Sequence, residues 1–164
     1  MFLFVAIILH QTPKRLLASL NEAVKGGAGI VIQFPFYAGI MSVMTASGLA
    51  ASISTGFVSI ATAESLPFWS FISAGVVNIF VPSGGGQWAV QAPVMLPAAQ
   101  ELGADIPRVA MGVAWGDAWT NLLQPFWALP VLAIAGLKAK DIMGYCLMLL
   151  IVTGIIISAG LTWL

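Results

Sequence analysis

The chain has 164 residues, 60% of them hydrophobic and 7% charged, with six Lys and Arg against six Asp and Glu and a mean hydropathy of +1.00. Soluble domains carry about a quarter charged residues, so an integral membrane protein, all-α in class, is expected. Zero net charge without a long basic run excludes a nucleic-acid groove or an electrostatically anchored peripheral helix, and a lone Cys146 excludes disulfide frameworks and cysteine-rich metal sites within the chain.

Residues 1–9 are apolar but lack the basic region and small-residue cleavage site of a signal peptide. Nine residues cannot cross a bilayer alone, since a spanning helix needs about 20. They read as the tail of a membrane helix, in a fragment of a longer chain.

The stretch 10–29 is the most polar, with Pro13, Lys14, Arg15, Glu22, Lys25 and the pair Gly26 and Gly27. It is expected outside the bilayer as a loop, with Leu16, Leu17, Leu20 and Val24 at helical spacing forming a short interfacial amphipathic helix. His10, beside it, is not read as a metal ligand. Residues 30–62 are almost entirely apolar or small and long enough to cross, with bends expected at Pro35 and over 48–56.

Residues 66–80 supply fifteen positions, about 22 Å of helix against a hydrocarbon core of about 30 Å. That helix enters without crossing. It meets Val81, Pro82, Ser83, Gly84, Gly85, Gly86 and Gln87, a run expected to interrupt helix because it joins a proline to three glycines. A second short segment, 88–99, leads to Gln100 and Glu101. Two half-length helices about a glycine-rich tip describe a re-entrant hairpin over 66–99.

Residues 109–136 can cross with a break, expected near Gly116 and again at Pro125, and 142–164 reads as a plain spanning helix. Five of the six Lys and Arg lie in 10–29 and 137–141, and Arg108 is the sixth. The positive-inside rule puts those two loops in the cytoplasm and the C-terminus in the periplasm.

Irregular backbone within a bilayer is tolerated only where it is buried in protein or lines a watery cavity. The tip at Ser83, Gly84, Gly85 and Gly86 therefore points to a binding loop: amides and the positive dipole end of the following helix suit a carboxylate, and freed carbonyls of the preceding one suit a cation. A glycine-rich kink serving only close packing is the alternative. Gln87 and Gln91, four apart, share a face and can orient a carboxylate.

Asp117 lies eight residues inside Val109, about 12 Å along the helix, where a carboxyl costs about 2.5–3.5 kcal/mol on insertion scales. Asp117, Thr120, Asn121 and Gln124 form one polar stripe, while Trp115, Trp119, Leu122 and Phe126 lie opposite. The stripe either shapes a site or joins helices by hydrogen bonds. Gln33, Asn78 and Glu64 read as structural: a helix contact, a cap of the break at Pro82 and an outer-interface residue. Trp69, Trp88 and Trp163 fit either interfacial belts or core packing. No nucleotide-binding, zinc or nucleophile motif is present, so neither ATP-driven pumping nor enzymatic catalysis is expected, and no catalytic residue or resident metal is assigned.

The strings Phe80 to Pro93 and Gly116 to Trp127, with Gln33 to Ile40, resemble the bacterial short-chain fatty acid (acetoacetate and butyrate) transporter family along the whole chain. That family is similar to ion transporters built from two inverted repeats, each with a re-entrant hairpin and a discontinuous helix, working by alternating access. The resemblance implies the C-terminal third of an inner-membrane secondary transporter, a symporter of small monocarboxylates. Its partners are the substrate, the lipid bilayer and the missing N-terminal part of the carrier, with room for a homo-oligomer and none for nucleic acid. Ser83, Gly84, Gly85, Gly86, Gln87, Gln91, Asn121 and Gln124 are assigned to substrate, and Asp117, Thr120 and Asn121 to a coupling Na⁺ or H⁺. A carrier of another small organic anion and a non-transporting membrane scaffold stay open. In a fragment, a site at the repeat interface lacks half its walls.

Overall fold

The computed structural model describes residues 1–124 and 128–163, and every regular element among them is a helix. In chain order these are α1 (Phe2–His10), α2 (Pro13–Ala46), α3 (Leu49–Val58), α4 (Leu66–Asn78), α5 (Gly84–Leu102), α6 (Ile106–Thr120), a 3-10 turn (Asn121–Leu123), α7 (Leu129–Ala135) and α8 (Ala139–Trp163).

The stretch 10–29 departs from expectation, because it is helical from Pro13 and runs without a break into the apolar residues beyond Gly29. Thr12 caps the start by accepting from the Arg15 amide, Pro13 needs no amide partner at the first position, and Glu22 pairs with Lys25 at 2.7 Å. Interior glycines weaken a helix by about 1 kcal/mol each, which does not end one of 34 residues. Pro35 does not end it either. The interruption of 30–62 falls at Gly48, whose φ of 71° is left-handed and separates α2 from α3.

Among the described residues, two helical stretches are long and apolar enough to cross a bilayer: Gly27–Ala46 within α2, with mean hydropathy 1.5, and Ala139–Trp163, with 2.4. Their outward faces carry exposed Val31, Ile32, Ile151 and Ile155.

The core is built on α4 and α6, which run parallel. Gly112 lies against Pro67, and a Cβ there would fall 2.5 Å from the Pro67 carbonyl oxygen. One turn on, Gly116 lies against Phe71 and Ala74. Two small residues four apart let helix backbones touch. The expected break near Gly116 is therefore absent. That glycine sits inside α6, because its missing side chain is used for contact and not for conformational freedom.

α5 returns antiparallel and packs against both. Its end packs Met95, Ala98 and Ala99 with Leu66, Ala74, Val109 and Val113, while Val77 and Val81 join Met44 and Ala50 in a second cluster near its start. α8 runs antiparallel to α6: Arg108 Nη2 donates to the Leu161 carbonyl at 2.8 Å, and Trp119 Nε1 donates to the Leu150 carbonyl at 2.7 Å. Trp119 is held between Phe71, at a centroid distance of 4.7 Å, and Gly154. It therefore packs against neighbouring helices, whereas Trp115 is exposed.

Candidate functional site

Because α4 and α6 are parallel and α5 returns, the C-terminal ends of α4 and α6 meet the N-terminus of α5 at one level. Helix C-termini carry partial negative charge and N-termini partial positive charge. The level therefore holds two negative ends beside one positive end.

The positive end begins one residue after Pro82. Ser83 is the N-cap, its hydroxyl accepting from the Gly86 amide at 3.4 Å, so Gly84, Gly85 and Gly86 form the first turn of α5 and not an irregular tip. The first amides of a helix have no intrahelical acceptor, and Gly84 and Gly85, which carry two of them, are exposed residues without side chains. A Cβ on Gly85 would meet nothing within 4 Å, whereas one on Gly86 would lie 2.9 Å from Met41 Sδ. The second arm is correspondingly longer than 88–99, at 19 residues.

The negative ends are joined by Asn78, the last residue of α4. Its Nδ2 donates to the Asp117 carbonyl at 2.8 Å, to Thr120 Oγ1 at 3.0 Å and to Asn121 Oδ1 at 2.9 Å. Gln124 Nε2 donates back to the Asn78 carbonyl at 2.9 Å. The expected stripe thus meets Asn78: Thr120 and Asn121 through their side chains, Asp117 through its main-chain carbonyl, and Gln124 through the Asn78 main-chain carbonyl. Asn78 does not cap the break at Pro82. Its only sequence signal is that it is the one amide in an apolar run, and spacing alone does not reveal a partner about 40 residues away.

The discontinuity expected in 109–136 starts after Thr120, where the helix tightens into the 3-10 turn and Gln124 leaves helical geometry at φ −117°, ψ 82°. Pro125, expected to make a second break, Phe126, expected in the aromatic stripe, and Leu164, at the end of the last span, lie outside the described residues.

Gln87 and Gln91 share a face as expected and are fully buried. Gln87 Nε2 donates to the Ala74 carbonyl and to Gln91 Oε1, both at 2.9 Å, and Gln91 Nε2 donates to Ser54 Oγ at 3.0 Å and Ser73 Oγ at 3.1 Å. Gln91 is saturated and ties α3, α4 and α5 together. Gln33 and Glu64 are exposed and stand apart from this cluster.

Among the described residues, four buried side-chain oxygens find no donor: Asn78 Oδ1, Gln87 Oε1, Asp117 Oδ1 and Gln124 Oε1. A buried unpaired acceptor costs about 1–3 kcal/mol, so each of the four calls for a partner that the described residues do not supply. The other Asp117 oxygen, Oδ2, lies 3.2 Å from where a Cβ on Gly84 would stand, which puts the carboxylate beside the start of α5.

Residues 1–164 match the family described as short chain fatty acid transporter. A curated protein of Escherichia coli (strain K12), named "Putative short-chain fatty acid transporter", is 47% identical over 162 residues, covering 99% of this chain and 37% of its own length. One of the same name in Haemophilus influenzae is 46% identical over 163 residues, covering 99% of this chain and 36% of its own length. The chain therefore spans just over a third of these relatives. No solved structure matches it. With a family match along its full length and a helical, strongly apolar architecture, the chain is a membrane protein that belongs to the short chain fatty acid transporter family.

Proposed function

We propose that this chain forms the C-terminal part of a secondary transporter that carries short-chain fatty acids across the bacterial inner membrane by alternating access. In this reading 66–99 is a re-entrant hairpin, 109–136 a discontinuous helix of an inverted repeat, and the C-terminus periplasmic. The N-terminal part of the carrier supplies the opposite wall. Ser83, Gly84, Gly85 and Gly86 receive the substrate carboxylate; Gln87, whose Nε2 already donates to Ala74 and Gln91, holds the surroundings with Gln91 and Gln124, and Asp117 serves the coupling ion while Thr120 and Asn121 position Asn78 beside it.

The observation that carries the proposal is the open start of α5 beside Asp117. Exposed amides of Gly84 and Gly85 at a positive helix end fit a carboxylate, and the open space over Gly85 leaves room for one. Substrates with short alkyl chains present a single carboxylate and little else to bind, so a site made of amides without an arginine suits weak, releasable binding. A non-transporting scaffold makes no use of that opening.

The test is uptake of labelled butyrate and acetoacetate into proteoliposomes holding the full-length carrier. A Cβ on Gly85 meets no neighbour from this chain, so Gly85→Val should spare the α4–α6 core while uptake falls at least tenfold. Uptake at the wild-type rate in that variant would remove the α5 start from the substrate path.

A further inference from the structure

The carrier reading, on which this inference rests, poses an electrostatic problem at the start of α5. Asp117 Oδ2 already lies against Gly84, so a substrate carboxylate drawn to the same amides meets a second negative charge. Two carboxylates this close, away from bulk water, do not both stay ionised unless a positive charge lies beside them.

We propose that this charge is a sodium ion, held by the Asp117 carboxylate together with Asn78 Oδ1, Gln87 Oε1 and Gln124 Oε1. These oxygens find no donor among the described residues, and Asn78 and Gln87 are fully buried residues. Their orientation is fixed by the protein. The Nδ2 of Asn78 and the Nε2 of Gln87 and of Gln124 each donate to a backbone carbonyl, of Asp117, Ala74 and Asn78 respectively. An amide flip would set oxygen against oxygen in every case, so the free atom of each side chain is an acceptor. Unpaired acceptors fit a hard cation and repel an anion. The last turns of α4 and α6 add their negative ends in the same direction.

The charge of the ion is set by the residue types. Among the described residues no three of His, Cys, Asp and Glu gather in one place, and the cluster contains a single carboxylate. One negative charge with neutral amides balances a monovalent cation within a membrane, whereas a divalent ion would leave it charged. Thr120 Oγ1 and Asn121 Oδ1, assigned from the sequence to the ion, already accept from Asn78 Nδ2. Their part is to position Asn78, and the ion falls to the oxygens left over. Sodium in this place would neutralise Asp117 and free the α5 amides for the substrate carboxylate, which makes the two bind cooperatively.

The experiment uses purified full-length carrier and Na⁺ itself as the probe. Equilibrium ²²Na⁺ binding is measured against a K⁺ or choline background, and hydrogen exchange of the wild-type segments 84–87 and 120–124 is followed with each cation. Saturable Na⁺ binding is expected, with exchange in both segments slowed at least threefold by Na⁺ and not by K⁺. Asp117→Asn and Gln124→Met should each abolish one bound Na⁺ or weaken it at least tenfold. Wild-type exchange that ignores Na⁺, equal effects of K⁺, or unaltered binding in both variants would overturn the site; the wild-type exchange decides alone if neither variant folds. Labelled butyrate uptake separates the two proposals. Na⁺ binding at this site without uptake of any monocarboxylate leaves the sodium site standing and removes the substrate reading, while uptake driven by a pH gradient with no Na⁺ effect does the reverse.

Discussion

Gly116 of α6 is pressed against the backbone of Phe71 in α4, so closely that a Cβ there would overlap the Phe71 carbonyl oxygen and stand 2.7 Å from Ala74 Cβ. Backbone atoms on both sides leave no flexible group to move aside. The position sets the register of the two parallel helices and, through it, the meeting of Asn78 with the end of α6.

Gly116→Ala should therefore destabilise the full-length carrier by about 1–3 kcal/mol, the usual cost of overpacking. Gly85→Ala, where a Cβ would meet nothing within 4 Å, should be neutral or gain up to about 1 kcal/mol from helix propensity. Apparent Tm in detergent by tryptophan fluorescence compares them; equal shifts would mean that α4 and α6 do not touch here.

Asn78 presents two N–H hydrogens to three acceptors, and removing them strands groups on α6 and the 3-10 turn. Asn78→Leu, of similar size, should cost about 1–3 kcal/mol. Asn78→Asp should cost more when ionised, because a carboxylate would face the Asp117 carbonyl and Asn121 Oδ1. Stability measured at pH 8 tests the order, and an Asp variant as stable as wild type would contradict the network.

Trp119 and Gly154 form a lock between α6 and α8. A Cβ on Gly154 would fall 2.7 Å from Trp119 Cζ2, and the indole cannot swing away while its N–H holds the Leu150 carbonyl at 2.7 Å and its ring rests on Phe71. Trp119→Phe should cost about 1 kcal/mol for the lost hydrogen bond, with more for lost burial. In that background the penalty of Gly154→Ala should shrink by about 1 kcal/mol or more, a coupling read by a double-mutant cycle. Strict additivity would show that the two do not touch.

Gln91 satisfies its amide within the protein, with donors directed to Ser54 and Ser73 and its oxygen accepting from Gln87. Gln91→Leu should destabilise by about 2 kcal/mol, since it orphans buried polar groups on α3, α4 and α5. Butyrate affinity per folded molecule should change little, in contrast to Gly85→Val. A large loss of binding with unchanged stability would return Gln91 to the substrate site.

Much of this architecture is legible in the residues alone. Length and hydropathy determine that 142–163 is a spanning-type helix and that 66–80 is short, because helix rise and bilayer thickness are constants. A period of 3.6 is enough to put Asp117, Thr120, Asn121 and Gln124 on one face, whereas the three glycines expected to interrupt helix form its first turn because Ser83 caps them. The family strings identify the chain before any coordinate. Tertiary structure decided the rest. Only the parallel seating of α4 on Gly112 and Gly116 reveals that a glycine read as a break is a contact, and that Asn78 is the amide on which the polar stripe closes. Periodicity specifies which face a side chain occupies, but hydrogen bonds spanning 39 to 46 residues depend on how backbones pack. Which amide oxygens remain free after those bonds form is a property of the folded chain, because each atom's availability is set by what its neighbours have already taken.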